Sequence, residues 1–154
     1  MPSIKLVPYD EAYLERSWVW LNDPEIRELT MTPVFTRQQQ CEFFAALDSR
    51  SDYLIWGVEL ISHGPIGAAG LKNHRGTLAE YWGYIGEKRF WGQGLGRAMV
   101  GAVEQRARGA GFDSLDLKVA RKNLRASSLY HKLGYNEISA ESTAVYIKMG
   151  KSLP

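Results

Sequence analysis

Three glycines at alternate positions, Gly92, Gly94 and Gly96, constrain the fold of this chain more than any other feature. The aromatic-rich residues 78–85 before them predict a central strand. After them, apolar residues at helical spacing predict an amphipathic helix that ends near two further glycines: Leu95, Ala98, Met99, Ala102 and Val103, then Gly109 and Gly111. Because backbone amides at a glycine-rich helix start can approach an anion, the loop predicts a phosphate or pyrophosphate site. The same spacing also suits a tight strand-to-helix turn without a ligand.

Two common nucleotide-binding motifs do not match. A dinucleotide fingerprint would need a third glycine where Arg97 or Met99 stands. The phosphate loop of NTPases ends in Gly-Lys-Ser or Gly-Lys-Thr, and in this chain Val145 stands where the first glycine before residues 150–152 should be. The glycine loop therefore belongs to neither class.

The remaining periodicities predict a mixed α/β fold. Helices are predicted at residues 9–21, 24–29, 36–47, 95–109 and 123–133, and strands at residues 4–7, 53–61, 65–71, 78–85, 114–119, 135–139 and 143–149. Thr36 and Gln39 form a capping-box pattern, whereas residues 30–35 and 72–77 predict a loop and a polar turn. Antiparallel hairpins come first and strand–helix–strand units follow, so we expect a largely antiparallel sheet with helices on both faces. With no repeat or linker, residues 1–154 are interpreted as one domain.

Composition limits the partners and the location. Of the 154 residues, 45% are hydrophobic and 23% are charged, which is typical of a globular chain. A net charge of +2 is too small to indicate a general nucleic-acid or membrane binder. Residues 1–5 lack the apolar segment of a signal peptide, and no apolar run reaches the roughly 20 residues that span a bilayer. A lone cysteine, Cys41, fits a reducing compartment and gives no cysteine-cluster metal site, so we expect a cytoplasmic protein without a metal.

Two motifs resemble one known family. Residues 91–96 resemble motif A of the GNAT superfamily of acetyl-CoA-dependent N-acetyltransferases, written Q/R-x-x-G-x-G/A, with Gly94 and Gly96 in place. Residues 123–135 resemble its motif B, N-x-x-A-x-x-x-Y-x-x-x-G-F/Y. Trp91 departs from the Gln or Arg of motif A. Its Trp-Gly form and residues 20–27 resemble the branch of ribosomal-protein N-terminal and amino-sugar acetyltransferases.

The resemblance implies a cosubstrate site. In the family, the pantetheine arm of acetyl-CoA lies between two splayed parallel strands, and its pyrophosphate contacts the glycine loop. Carried over residue by residue, the cofactor-binding residues are Tyr84, Ile85, Gly86, Glu87, Gly92, Gln93, Gly94, Leu95, Gly96, Arg97 and Asn123. Asn123 is either a contact of the pantetheine arm or a plain helix N-cap. Arg121, Lys122 and Arg125 either meet the 3′-phosphate or face solvent.

The resemblance also implies a proton donor. Tyr130 matches the family tyrosine that protonates the leaving thiolate, and the alternative is an aromatic core residue. A phenol has a pKa of about 10, so it can donate a proton at neutral pH. Members of this branch often carry a glutamate base five residues before the motif B asparagine, but Lys118 stands there. Glu80 is the predicted substitute and Glu59 a second one, and either could be an ordinary exposed strand carboxylate.

Other reactive side chains are given structural interpretations. His63 and His74 are expected to be solvated in turns, His131 occupies a variable position of motif B, and Cys41 is expected to be a small buried hydrophobe.

The predicted reaction is direct attack of a primary amine on acetyl-CoA in a ternary complex. The acceptor could be a nucleotide-linked amino sugar, a protein N-terminus or lysine, or an aminoglycoside or other polyamine. Lys118 favours the phosphate-bearing sugar. Loops 30–35 and 139–143 carry no motif that names the acceptor, and a non-catalytic acyl-CoA-binding module is the alternative from another class.

Overall fold

A seven-stranded sheet forms the centre of the computed structural model, which describes residues 3–154. The strands are β1 Ile4–Pro8, β2 Leu54–Leu60, β3 Gly64–Arg75, β4 Leu78–Ile85, β5 Ser114–Ala120, β6 Asn136–Glu137 and β7 Tyr146–Ser152, in the spatial order β1-β2-β3-β4-β5-β7-β6. The helices are α1 Glu11–Leu21, α2 Pro24–Leu29, α3 Arg37–Ala46, α4 Leu95–Gly109 and α5 Leu124–Lys132. All strand pairs are antiparallel except β4–β5, which confirms the predicted mixed and largely antiparallel sheet.

Local capping signals fix where the helices begin. The Asp23 carboxylate accepts from the backbone N–H groups of Glu25 and Ile26 at the start of α2. Thr36 and Gln39 form both hydrogen bonds of the predicted capping box at the start of α3. The capping box was predictable from the sequence because it is completed within three residues.

Alternating side chains give the sheet two buried faces. Tyr81, Leu115 and Leu117 pack with Val103 of α4 on one face. Tyr13, Trp20 and Ile26 of α1 and α2 form a second cluster on the other face. Helices therefore cover both faces, as predicted. Within residues 3–154, no helix has both the length and the apolar character needed to cross a bilayer.

Three predicted elements are wrong in extent. Strand β3 continues to Arg75 through the predicted polar turn, because Lys72 pairs in register with Glu80 of β4. Strand β6 contains only Asn136–Glu137. Strand β7 begins three residues later than predicted and continues to Ser152, because its last residues pair with the start of β5. Each difference comes from pairing between distant segments, which local propensity does not encode.

The two parallel strands separate after a short paired stretch. Strands β4 and β5 pair only at Leu78–Ser114, Ala79–Leu115 and Glu80–Asp116. Beyond these positions the C-terminal parts of the two strands diverge, while α4 connects the two strands across one face. The divergence leaves a gap inside the sheet.

Candidate active site

A cavity of about 960 Å³ runs through the gap between β4 and β5. On the α4 face it is lined by the glycine loop and by residues of α4 and α5. On the opposite face it is lined by α2, the loop that follows α2, and residues of α3 and β2. One continuous space therefore connects the two faces of the sheet.

The glycine loop presents free backbone amides to this cavity. Gly94 caps α4 with φ of 79°, a left-handed conformation that favours glycine, and a β-carbon there would project into open space. Within the part of the chain that the structure describes, no side chain caps the first turn of α4. The loop residues on the cavity wall are Gly92, Gly94, Leu95, Gly96 and Arg97. Unpaired amides at a helix N-terminus fit an anion such as a pyrophosphate.

Gln93 does not line the cavity. Its side-chain amide donates to the carbonyl oxygen of Arg89 at 3.0 Å, which holds the side chain against the preceding turn.

The four residues predicted to bind the cofactor at the end of β4, residues 84–87, fall into two pairs. Tyr84 and Ile85 line the cavity. The N–H groups of Gly86 and Glu87 donate to the carbonyl oxygen of Ile66 at 2.6 and 3.2 Å, and neither residue lines the cavity. The amides of Gly86 and Glu87 are therefore occupied by β3.

Two tryptophans hold this strand end in place. The Trp91 indole donates to the carbonyl oxygen of Ile85 at 2.8 Å, and the Trp20 indole donates to the Glu87 carboxylate at 2.7 Å. Trp91 is the residue that departs from motif A. Its indole joins the glycine loop directly to β4.

Both motif B residues lie on the cavity wall. Asn123 Oδ1 accepts from the Ala126 N–H at 3.3 Å, so the residue is an N-cap of α5 and also faces the cavity. The Tyr130 ring contacts those of Tyr81 and Tyr135 at centroid distances of 6.2 and 5.9 Å. Burial raises the pKa of Tyr130 to about 12, so its phenol stays protonated at neutral pH.

Glu80 lies in a buried ion-pair ladder rather than on the cavity wall. Its carboxylate accepts from Asn73 Nδ2 at 3.0 Å and lies 3.8 Å from Lys72 Nζ. Lys148 Nζ lies 3.7 Å from Glu80 and 3.0 Å from Asp116, and Arg75 completes the ladder on Asp116. Glu80 is 5% exposed, so the alternative interpretation as an exposed strand carboxylate is wrong, while its predicted role as a base stays a prediction.

The half of the cavity away from α4 has an aromatic wall with lysines. Trp82 lies between Tyr53 and Tyr84, with centroid distances of 6.1 and 6.4 Å. Lys72 and Lys118 also line this half. Sequence reasoning missed the aromatic wall. Its signal was the pair Trp82 and Tyr84, which lie two residues apart on the predicted strand and therefore share a face.

The charge of the cavity wall is strongly biased. Its six basic residues are Lys72, Arg97, Lys118, Lys122, Arg125 and Lys132, whereas Glu25 is its one acidic residue among residues 3–154. Arg121 lies elsewhere, where its guanidinium donates to the carbonyl oxygen of Thr143. Such a wall favours ligands that carry negative charge.

The remaining reactive side chains lie outside the cavity wall. His63 packs on Phe90, and His74 packs on Phe112 with one buried ring nitrogen that has no partner among residues 3–154. Cys41 is exposed on α3, so the expectation that it is buried is wrong.

The family follows from the sequence match. Residues 12–135 match the model of the acetyltransferase (GNAT) family over most of the chain. The chain belongs to this family. It is therefore an acetyl-CoA-dependent N-acetyltransferase of the GNAT kind, and the predicted family is confirmed.

Solved structures share the fold of this acetyltransferase at low sequence identity. Spermidine N-acetyltransferase from Vibrio cholerae, in complex with CoA and spermine, is 17% identical with a TM-score of 0.85, covering 98% of this chain and 96% of that chain. Aminoglycoside acetyltransferase AAC(6′)-Ib in complex with coenzyme A is 18% identical with a TM-score of 0.77, covering 99% and 95%. The N-acetyltransferase PseH from Campylobacter jejuni, in complex with acetyl coenzyme A, is 15% identical with a TM-score of 0.72, covering 98% and 99%. No curated protein shows significant sequence similarity to this chain.

Proposed function

We propose that this acetyltransferase transfers an acetyl group from acetyl-CoA to the primary amine of a small molecule that carries negative charge. A nucleotide-linked amino sugar is the acceptor class that fits best. The observation that carries the proposal is the half of the cavity away from α4, where Lys72 and Lys118 line the wall in addition to the basic residues beside the glycine loop and α5. The amine attacks directly in a ternary complex.

The residues that hold acetyl-CoA are those on the cavity wall. The free amides of the first turn of α4 bind the pyrophosphate, and Tyr84 and Ile85, which line the gap, contact the pantetheine arm. Asn123 uses its oxygen for the helix cap, so its amide nitrogen is the group available to the arm. Lys122 and Arg125 are the predicted 3′-phosphate contacts that line the cavity. When bound, acetyl-CoA supplies an acyl group activated as a thioester.

Tyr130 supplies the proton that the reaction needs. As the carbon–nitrogen bond forms and the carbon–sulfur bond breaks, negative charge develops on sulfur, and Tyr130 donates its phenolic proton there. Its raised pKa keeps the phenol in the protonated form before the reaction. The proton lost by the amine passes to solvent. A role for Glu80 in that transfer requires an intervening water, because its carboxylate is buried behind Lys72 and Lys148.

The same wall disfavours polycationic acceptors. The V. cholerae structure contains spermine and AAC(6′)-Ib is an aminoglycoside acetyltransferase, so the shared fold accommodates such substrates in those proteins. In this chain a polyamine would meet Lys118 and also Lys72, which lies beside Glu80, while the acidic lining residue Glu25 is paired with Lys88. The branch of ribosomal-protein and amino-sugar enzymes therefore remains our proposal for this chain.

An acceptor panel tests the proposal. Turnover is measured by mass spectrometry with a nucleotide-linked amino sugar, the unmodified amino sugar, an N-terminal peptide, spermine and an aminoglycoside. We expect the nucleotide-linked sugar to be acetylated fastest, and Lys118→Glu to lower its kcat/KM selectively. Turnover of spermine or peptides without turnover of the anionic sugar overturns the acceptor class. Tight acetyl-CoA binding with no turnover across the panel supports a non-catalytic acyl-CoA-binding module instead.

Two further proposals concern the whole chain. Residues 1–154 form one acetyltransferase domain, supported by the family match over residues 12–135 and by one continuous sheet. The protein is cytoplasmic, and the exposed free thiol of Cys41 supports a reducing compartment.

A further inference from the structure

Tyr81 has a buried hydroxyl group without a hydrogen-bond partner. The residue is 2% exposed, and its hydroxyl finds no donor or acceptor among residues 3–154. A phenol removed from water normally pairs, because an unsatisfied polar group inside a protein is destabilising. Tyr81 nevertheless belongs to the cavity wall. The free protein therefore keeps an unused donor beside its ligand site.

The position of this hydroxyl links it to the gap between the strands. Tyr81 is the first residue of β4 beyond the last position paired with β5. Its hydroxyl lies over the backbone of Gly83, where a β-carbon would overlap it, and beside the Met99 methyl group. Gly83 thus leaves space at this point, and the unbranched Met99 side chain can adjust to a neighbour. The Tyr81 ring contacts that of Tyr130.

We propose that the Tyr81 hydroxyl donates a hydrogen bond to an oxygen of the acyl-pantetheine arm of bound acetyl-CoA. The inference rests on the proposed function, since it takes acetyl-CoA as the ligand of the gap. It gives Tyr81 a binding role, while Tyr130 remains the proton donor. Binding then satisfies a donor that the free protein leaves unpaired, so the hydroxyl favours the bound state over the free state.

Tyr13 provides a matched control. It is also a buried tyrosine, 4% exposed, with a hydroxyl that has no partner within the described residues. However, Tyr13 lies on α1 against Gly57 and is not part of the cavity wall. Changing either residue to phenylalanine removes one oxygen from a buried, unpaired position. The two positions differ in whether they belong to the cavity wall, which includes Tyr81 and not Tyr13.

The test compares Tyr81→Phe and Tyr13→Phe with the parent protein by thermal unfolding and by calorimetric titration. We expect both variants to melt at roughly 2–4 °C above the parent, because each loses an unsatisfied hydroxyl. We expect Tyr81→Phe to bind acetyl-CoA about 3- to 10-fold more weakly, the size of one neutral hydrogen bond. Tyr13→Phe should bind it as the parent does.

Shorter ligands locate the contact. Adenosine 3′,5′-bisphosphate lacks the pantetheine arm, so its affinity should be equal in Tyr81→Phe and the parent. Weaker binding of both CoA and acetyl-CoA places the hydrogen bond on a pantetheine oxygen, and weaker binding of acetyl-CoA alone places it on the thioester oxygen. Equal affinity of Tyr81→Phe and the parent for acetyl-CoA overturns this inference alone. A parent protein that does not bind acetyl-CoA overturns the proposed function as well.

Discussion

At the scale of single residues, two tyrosines on the cavity wall are proposed to have different roles for their hydroxyl groups. Tyr130 lies on α5 and is proposed to give up its proton, whereas Tyr81 lies on β4 and is proposed to keep its proton while binding. Burial raises the pKa of both groups, in the case of Tyr130 to about 12. Their rings are in contact, so phenylalanine at either position preserves the packing and tests the oxygen alone.

We predict that Tyr130→Phe lowers kcat by roughly 100- to 10,000-fold, the usual contribution of a positioned general acid. Acetyl-CoA affinity should change little, because the backbone amides of the glycine loop are unaffected. Rapid-quench measurement of the acetyl-transfer step, with calorimetry for binding, checks both parts. A transfer step as fast as that of the parent would show that another group protonates the thiolate.

Single residues also show which features the sequence made predictable. The capping box of Thr36 and Gln39 was predictable because the cap and its partner lie within three residues. The roles of Asn123 and Tyr130 came from a resemblance, and the structure adds that both line the cavity. The burial of Glu80 and Lys148 was not predictable, because each is stabilised by charges on other strands that no local pattern relates.

At the scale of elements, the glycine loop and α4 act together, since the helix supplies the amides and the loop gives access to them. We predict that Gly94→Val weakens acetyl-CoA binding by more than tenfold, because a branched side chain is strained in the left-handed conformation of this cavity-lining residue and would displace the amides of the first turn of α4. Calorimetry measures this.

The control for Gly94→Val is Gly101→Ala in the middle of the same helix, where a β-carbon meets open space. It should stabilise the protein by about 0.5–1 kcal/mol and leave binding unchanged. If Gly94→Val remains folded and binds acetyl-CoA as tightly as the parent, the assignment of the glycine loop as the pyrophosphate site is wrong.

The ion-pair ladder joins four strands, β3, β4, β5 and β7, at the point where β4 and β5 separate. We predict that Lys148→Met lowers the free energy of unfolding by about 3–5 kcal/mol, because it leaves the Glu80 and Asp116 carboxylates buried without the ammonium between them. Urea unfolding measures the change. Lys5→Met removes an exposed ion pair with Glu59 and should cost less than about 1 kcal/mol. Equal losses in the two variants would contradict a special role for the ladder.

The extents of β3 and β7 show why element boundaries were harder to predict than element types. Residues 72–75 are polar and resemble a turn, yet they extend β3 because Lys72 and Arg75 pair with Glu80 and Leu78 of β4. Residues 150–152 end β7 because they pair with the start of β5. In both cases the deciding partner is a separate strand, so only the folded sheet fixes the boundary.

At the scale of the whole molecule, buried phenols make stability sensitive to alkaline pH. Burial raises the pKa of Tyr13 and Tyr130 from 10 to about 12. The unfolded chain loses these protons near pH 10 while the folded protein retains them, so the stabilisation is complete below pH 10 and is lost as pH rises through about 12. For each phenol, the loss of stability across this pH range is at most roughly 2–3 kcal/mol.

We therefore predict that the free energy of unfolding falls steeply between about pH 10 and pH 12, and that part of the tyrosine absorbance change is delayed in the folded protein. Urea titrations across this range, with a spectroscopic titration of the folded and the urea-unfolded chain, measure both. Ionisation of all eight tyrosines near pH 10 in the folded protein would contradict the prediction.

The short pairing of β4 and β5 has a consequence for how the sheet opens. Three residue pairs join the strands at one end, and beyond them the backbone groups facing the gap have no strand partner. These groups should exchange their amide hydrogens with solvent early in the free protein, while the β2–β3 amides, paired along the strand, exchange late. Occupancy of the gap by acetyl-CoA would slow exchange on the facing edges of β4 and β5 together. Slower hydrogen exchange on both edges at once would then show that the ligand bridges the two halves of the sheet.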